Sequence, residues 1–245
     1  MALIWGRHPV VEALRANRSI DRVLVAESVR PDGLIAEILQ RSRERGIRVQ
    51  YLERQILDRL TNGANHQGVV AEVAEYRYRS LGDTIQLSKQ ASGLPLILAL
   101  DTLEDPQNFG TLLRSADAVG ATAVIIPLHR AVGVTPGVAK SSAGAVEYLP
   151  IARVTNLAKA LDELKRHGYW VVGLDAAGTT LYDATPVDVP LVLVVGSEER
   201  GLGHTVSASC DLLVKLPMRG HVESLNAAIA GSIVLYDVWR RRGFV

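Results

Sequence analysis

Short apolar runs alternate along this chain with segments whose apolar positions recur at helical spacing, and that alternation predicts an α/β protein. Trp5-Gly6-Arg7-His8-Pro9 leads into Val10, Val11, Ala13 and Leu14, a helix with Pro9 at its first position. Residues 22–26 and 47–52 read as strands. Between them residues 32–45 form a helix with Leu34, Ile35, Ile38 and Leu39 on one face. A short helix over 55–60 and a strand over 69–76 complete an alternating unit, residues 1–76. Over 77–94 the pattern weakens and Ser80, Gly82, Ser88, Ser92 and Gly93 accumulate, which predicts a linker. The remainder, 95–245, resumes the alternation: a strand to Asp101, a helix over about 109–119, a strand over 122–127 and an irregular stretch to Gly137. An Asn156-capped helix to His167, a strand over 169–174 and a Ser224-capped helix to about Arg242 follow. Strands alternating with helices favour a mainly parallel sheet covered on both faces.

Three apolar runs of the second half break into polar loops. Ile97-Leu98-Ala99-Leu100 opens into Asp105-Pro106-Gln107-Asn108-Phe109-Gly110 and then Arg114. Val192-Leu193-Val194-Val195 opens into Gly196-Ser197-Glu198-Glu199-Arg200-Gly201, and Leu212 to Leu216 into Pro217-Met218-Arg219-Gly220, with Ser224-Leu225-Asn226 beyond. Open α/β sheets gather function where strands end, so three such junctions suggest one site.

Each junction has two readings. Asn108 and Arg114 can hold a hydroxyl and a phosphate, or they are a helix cap and a surface arginine paired with Asp117. The glycine turn with Glu198 and Glu199 can approach a ligand closely and bind a ribose, or it is a tight turn with solvated charges. Ser224 is readily an N-cap; Asn226, at the start of an apolar helix, has less structural purpose.

Composition narrows the classes. A length of 245 residues with 48% hydrophobic content fits one large or two modest domains, and a net charge of +1 excludes a globally basic nucleic-acid binder. The first 80 residues nonetheless carry 13 Arg and no Lys against 10 Asp plus Glu, enough for a basic stripe. A general preference for arginine, 22 Arg to 5 Lys overall, accounts for most of that bias. The single cysteine, Cys210, rules out an internal disulfide, and the six histidines show no metal-ligand spacing, so a reducing cytoplasm and no metal are expected. No run approaches bilayer length. The chain also lacks G-x-G-x-x-G, G-x-x-x-x-G-K-[ST] and G-x-S-x-G, which removes the ordinary dinucleotide, phosphate-loop and hydrolase readings.

Taken in order, the three junctions resemble the motifs of the SpoU (TrmH) branch of the SPOUT RNA 2′-O-methyltransferases. Asp101-x-x-x-Asp105-Pro106-x-Asn108-x-Gly110-x-x-x-Arg114 looks like the first, Val195-Gly196-Ser197-Glu198-x-x-Gly201-Leu202 the second, and Leu216-Pro217-Met218 through Ser224-Leu225-Asn226 the third. Gly6-Arg7-His8-Pro9-Val10 and Asn65-His66-Gln67-Gly68-Val69 are similar to the N-terminal domain of the RlmB type, which methylates a guanosine of large-subunit ribosomal RNA. Two departures stand out: Glu199-Arg200 where glycine commonly follows the glutamate, and Ala227-Ala228 where valine and serine commonly follow the asparagine.

The resemblance implies a C-terminal domain with a deep trefoil knot, preceded by a small α/β RNA-binding domain and dimerising with a second copy. It implies S-adenosylmethionine held around Gly196, Leu216 and Leu225, with Met218 and Leu174 lining its pocket. Asn108, Arg114, Glu198, Ser224 and Asn226 become the catalytic set, and Arg7, His66, Gln67 and Arg114 the RNA contacts. An arginine, with a pKa above about 12, is a poor free base, so Arg114 is expected to bind phosphate and stabilise developing charge. A transfer-RNA methyltransferase and a non-catalytic ribosome-assembly factor are the competing readings.

Overall fold

The computed structural model describes residues 2–30 and 32–244. The chain divides into two compact units. One comprises the chain through Arg77 together with Val134–Tyr148, and the other runs from Tyr78 to Gly133 and from Leu149 onward.

The first unit holds β1 (Ala2–Trp5), α1 (Arg7–Arg15), β2 (Ile20–Ala26), α2 (Gly33–Glu44), β3 (Arg48–Leu52), α3 (Arg54–Leu60) and β4 (Val69–Val73). Its sheet runs β1-β4-β2-β3, with β2 and β3 parallel and β4 antiparallel to both neighbours. Pro9 lies two residues inside α1 rather than at its first position, since the helix begins at Arg7 behind Gly6. Gly6 has φ 98, a region open to glycine. The strand β1 escapes periodicity because its four residues are almost uniformly apolar.

The second unit holds α4 (Leu81–Gln90), β5 (Leu96–Leu100), α5 (Pro106–Ala118) and β6 (Ala123–Pro127). After α6 (Pro136–Ser141), which belongs with the first unit, come β7 (Ile151–Val154), α7 (Leu157–Arg166), β8 (Trp170–Leu174), β9 (Thr180–Leu181), β10 (Leu191–Val195), α8 (His204–Ser209), β11 (Leu212–Lys215) and α9 (Ala227–Arg241). Residues 77–94, expected as a linker, carry α4 instead. Ser80 caps it by accepting from the Asp83 amide, and Thr84, Ile85 and Ser88 are buried. Two of the serines thus belong to the helix, Ser80 as its cap and Ser88 on its buried face. Residues 134–148 likewise fall with the first unit, not with the stretch 95–245 in which the sequence placed them.

The seven strands run β7-β6-β5-β10-β8-β11-β9, and among the described residues they pair in parallel throughout. The centre, β10, is buried along its whole length, which explains a run with no polar alternation. Chain order proceeds outward from β5 to β6 and β7, then returns on the other side of β5. The switch point therefore lies between β5 and β10, where such sheets open a crevice at the carboxyl ends of their strands. On α7, Asn156 accepts from the Lys159 amide at 3.0 Å, as the sequence predicts.

Candidate active site

The first and second junctions leave neighbouring strands, β5 and β10, and the third leaves β11, one strand beyond β8. Asp105, not Asn108, caps α5: its carboxylate accepts from the Gln107 and Asn108 amides at 3.1 and 3.0 Å. Asn108 is thereby placed in the first turn. Its Nδ2 donates to Glu198 Oε1 at 2.7 Å.

Asn226 completes the arrangement and is itself the cap of α9, a role the sequence gave to Ser224. Its Oδ1 accepts from the Ala228 and Ile229 amides at 3.0 and 3.1 Å. With that oxygen committed to the helix end, Nδ2 donates to Asn108 Oδ1 at 3.0 Å and to Glu198 Oε1. One side chain from each junction thus meets the other two, and the cap fixes the orientation of the set. For the methyl transfer that the sequence resemblance implies, Asn226→Ser is expected to keep the cap, since serine ranks with asparagine there, but to lower the single-turnover rate about 100-fold, the scale of one lost site donor. Asn226→Ala should lose the activity and about 1 kcal/mol of stability as well. Thermal denaturation alongside transfer from labelled cofactor separates the two.

The glycine turn is built by its own backbone. A Cβ at Gly196 would lie 2.2 Å from the Gly201 carbonyl oxygen, so glycine is required before any ligand is considered. Ser197 and Gly201 exchange backbone hydrogen bonds at 3.1 and 3.0 Å, closing a small loop with Glu198 on it. Two carboxylates hold that loop from flanking strand ends. Asp101 accepts from the Gly203 amide at 2.7 Å and Asp175 from the Leu202 amide at 3.4 Å.

Beside the loop opens a cavity of about 390 Å³, within the range of small-ligand sites. Leu174, Gly196, Leu216, Met218 and Leu225, the five residues expected around a cofactor, all line it, with Ser224, Glu198 and Asp175. Apolar walls with a few convergent polar groups suit a nucleoside carrying a charged tail. The four side chains Leu174, Leu216, Met218 and Leu225 supply the apolar part, and Asp175, Glu198 and Ser224 the polar part.

Other expected site residues stand elsewhere. Arg114 is exposed on α5, does not line the cavity, and makes no ion pair among the described residues. It lies six residues beyond Asn108, about 120° away around the helix axis. His66 is fully buried, its Nε2 against Asp58 Oδ1 at 2.9 Å and its Nδ1 accepting from the Gly68 amide at 3.0 Å, so it shapes its loop. Gln67 Oε1 accepts from the Arg7 amide at 3.0 Å, and the Arg7 guanidinium pairs with Asp32, which ties both into the first unit. Burial pushes the Cys210 thiol up to about 12, so it stays protonated near neutrality and offers no nucleophile. Among the described residues no His, Cys, Asp or Glu group could hold a metal, and no helix is long and apolar enough to cross a membrane.

Residues 95–236 match the model of the SpoU rRNA Methylase family, and residues 3–79 match an RNA 2′-O ribose methyltransferase substrate-binding domain. The chain belongs to the SpoU rRNA methylase family. A Bacillus subtilis relative bearing the TrmH family tRNA/rRNA methyltransferase name is 44% identical over 98% of this chain and 95% of its own. One from Staphylococcus haemolyticus is 46% identical over 98% and 96%. Among solved structures, the SpoU methyltransferase AviRb of Streptomyces viridochromogenes with AdoMet superposes at TM-score 0.81, 26% identical, over 99% of this chain and 91% of that one. An AdoMet-bound rRNA methyltransferase of Sinorhizobium meliloti gives 0.80 and 27%, over 98% and 87%. The SpoU reading of the three junctions, made on their residues, is thereby borne out at the level of family and fold.

Proposed function

We propose that this methyltransferase transfers the S-adenosylmethionine methyl group to a ribose 2′-hydroxyl of a guanosine in large-subunit ribosomal RNA, in the cytoplasm. The observation that carries this reading is the Asn108–Glu198–Asn226 cluster beside the apolar cavity. The cofactor, held by Gly196, Leu174, Leu216, Met218 and Leu225, supplies an electrophilic methyl. The chain's own residues must then position a poor nucleophile. Asn226, locked by its cap, orients the Asn108 amide, and Glu198 Oε1 takes both amide donors. Glu198 Oε2 is left to accept from the ribose hydroxyl and takes its proton as the methyl passes from sulfur to oxygen, so that the ether is neutral and the carboxyl ends protonated. Orientation of this kind supplies a large part of such rate enhancements.

Arg114 neutralises the developing negative charge and the adjacent phosphate. Its distance around α5 from Asn108 supports a homodimer in which it serves the neighbouring copy's site. Ile229, Ile233 and Tyr236 form an exposed apolar stripe on α9, the helix packed against α5, and offer a surface for that second copy. A trefoil knot, with β10 threaded between β5 and β8, is part of the same reading. Mapping 2′-O-methyl groups by mass spectrometry in ribosomal and transfer RNA, with and without the gene, tests it. One missing guanosine methyl in large-subunit RNA supports the assignment; a missing transfer-RNA methyl redirects it, and two unchanged inventories overturn it.

A further inference from the structure

A second cavity, of about 400 Å³, shares the wall formed by residues 197–201 with the first. Its remaining lining comes from Thr102, Leu103, Glu104, Asp105, Asn108, Arg130 and Gly203. Asn108 therefore borders this cavity while Glu198 borders both. Arg130, in the loop after β6, is exposed and makes no ion pair among the described residues. Its backbone has φ 58, and Thr102 in the same lining has φ 53. That left-handed region is disfavoured for any residue with a Cβ, above all a β-branched threonine. The Val132 amide donates to the Leu103 carbonyl at 3.0 Å, so the two strained segments are tied to each other. Strain held in place by surrounding bonds concentrates where geometry matters to function.

We propose that this cavity receives the target nucleotide and that Arg130 grips the phosphate next to the ribose presented to Asn108. The inference rests on the functional reading above and deepens it. A guanidinium fork matches two phosphate oxygens. The acidic groups agree with the same placement: Asp105 is committed to the α5 cap, while Glu104 and Glu199 offer only acceptors, which repel phosphate and suit the N–H edge of a base. Arg200 lines both cavities, so only Arg130 discriminates the nucleotide from the cofactor.

The test uses the full chain and a short fluorescein-labelled single-stranded RNA of mixed sequence, with calorimetry of S-adenosylmethionine in parallel. Arg130→Ala should weaken RNA binding about tenfold and flatten the slope of log affinity against log salt by about 0.7, one released phosphate contact on a single strand. Cofactor affinity should stay unchanged. Arg130→Lys should restore the slope but only part of the affinity, because an ammonium cannot bind in fork geometry. An alanine variant with wild-type affinity and slope overturns the assignment, as does a weakened cofactor with unchanged RNA binding. The binding arm needs no turnover: unchanged methyl inventories in ribosomal and transfer RNA would sink the functional reading while the slope still decides Arg130. Absence of RNA binding by the wild-type protein overturns both.

Discussion

Arg114→Ala is expected to reduce methyl transfer by at least about 1000-fold, the upper end for loss of one charge-stabilising group, while leaving S-adenosylmethionine affinity within error of wild type. The two halves of that result follow from separate observations. Arg114 borders no part of the cofactor cavity, so its removal leaves the cofactor's contacts intact. Asn108, Glu198 and Asn226 carry no positive charge of their own, so the negative charge that builds on the attacking oxygen calls for a cation from outside the cluster, the part proposed for Arg114. Arg114→Lys should recover little, because a compact ammonium cannot span phosphate and ribose oxygens together. Mixing subunits separates the two possible placements of the arginine. Co-expressed Arg114→Ala and Asn226→Ser chains, lowered at least about 1000-fold and about 100-fold alone, should rise well above both in mixed dimers if the arginine works across the interface. Retained turnover by Arg114→Ala alone would remove the residue from the mechanism.

Gly196→Ala should abolish cofactor binding in practice, weakening it by about 100-fold or more, which is the equivalent of two steps of 1.4 kcal/mol. The added methyl would sit 2.2 Å from the Gly201 carbonyl oxygen, 2.3 Å from its carbon and 2.7 Å from the Leu202 nitrogen. All three are backbone atoms, so relief requires the loop to open and draws the Leu202 and Gly203 amides away from Asp175 and Asp101. Overpacking of this kind costs about 1–3 kcal/mol of stability, so a fall in melting temperature should accompany the lost affinity. Gly220→Ala is the matched control, since a Cβ there meets nothing within 4 Å. Calorimetry in which Gly196→Ala binds S-adenosylmethionine as tightly as the control would show that the turn does not shape the cofactor site.

What the sequence disclosed, and what it concealed, divides along physical lines. Buried parallel strands advertise themselves as continuous apolar runs, so β5 and β10 and the loops they release are legible, while β11, only partly buried, still shows as the short run Leu212-Leu213-Val214. All five expected cofactor residues meet in one cavity for the same reason: strand ends are fixed by the sheet. Caps were harder. Ser224 and Asn226 are both good N-cap residues two positions apart, and only the backbone reveals that Asn226 takes the helix and so becomes oriented toward Asn108. His66 looked like a loop residue open to RNA, yet its contacts with Asp58 and Gly68 depend on a fold that periodicity does not describe. Arg130 left no local signal, because its standing comes from a left-handed backbone and a cavity assembled from loops far apart in the chain. Asp101 and Asp175, which pin the glycine turn, find their partners 102 and 27 residues away, a separation that leaves no local signal.

The strand order also sets a timetable for synthesis. The four-stranded sheet is complete in sequence once Val73 has left the ribosome, whereas β10, the centre of the seven-stranded sheet, is made only after β5, β6, β7 and β8. Those earlier strands must wait with a gap between β5 and β8, exposing apolar edges that β10 will later occupy. Non-local parallel pairing of this kind forms slowly and is exposed to aggregation while it does. The four-stranded sheet can therefore pair while the seven-stranded sheet is still being translated, although its unit gains residues 134–148 only later, and the larger sheet closes only once β10 and β11 have emerged.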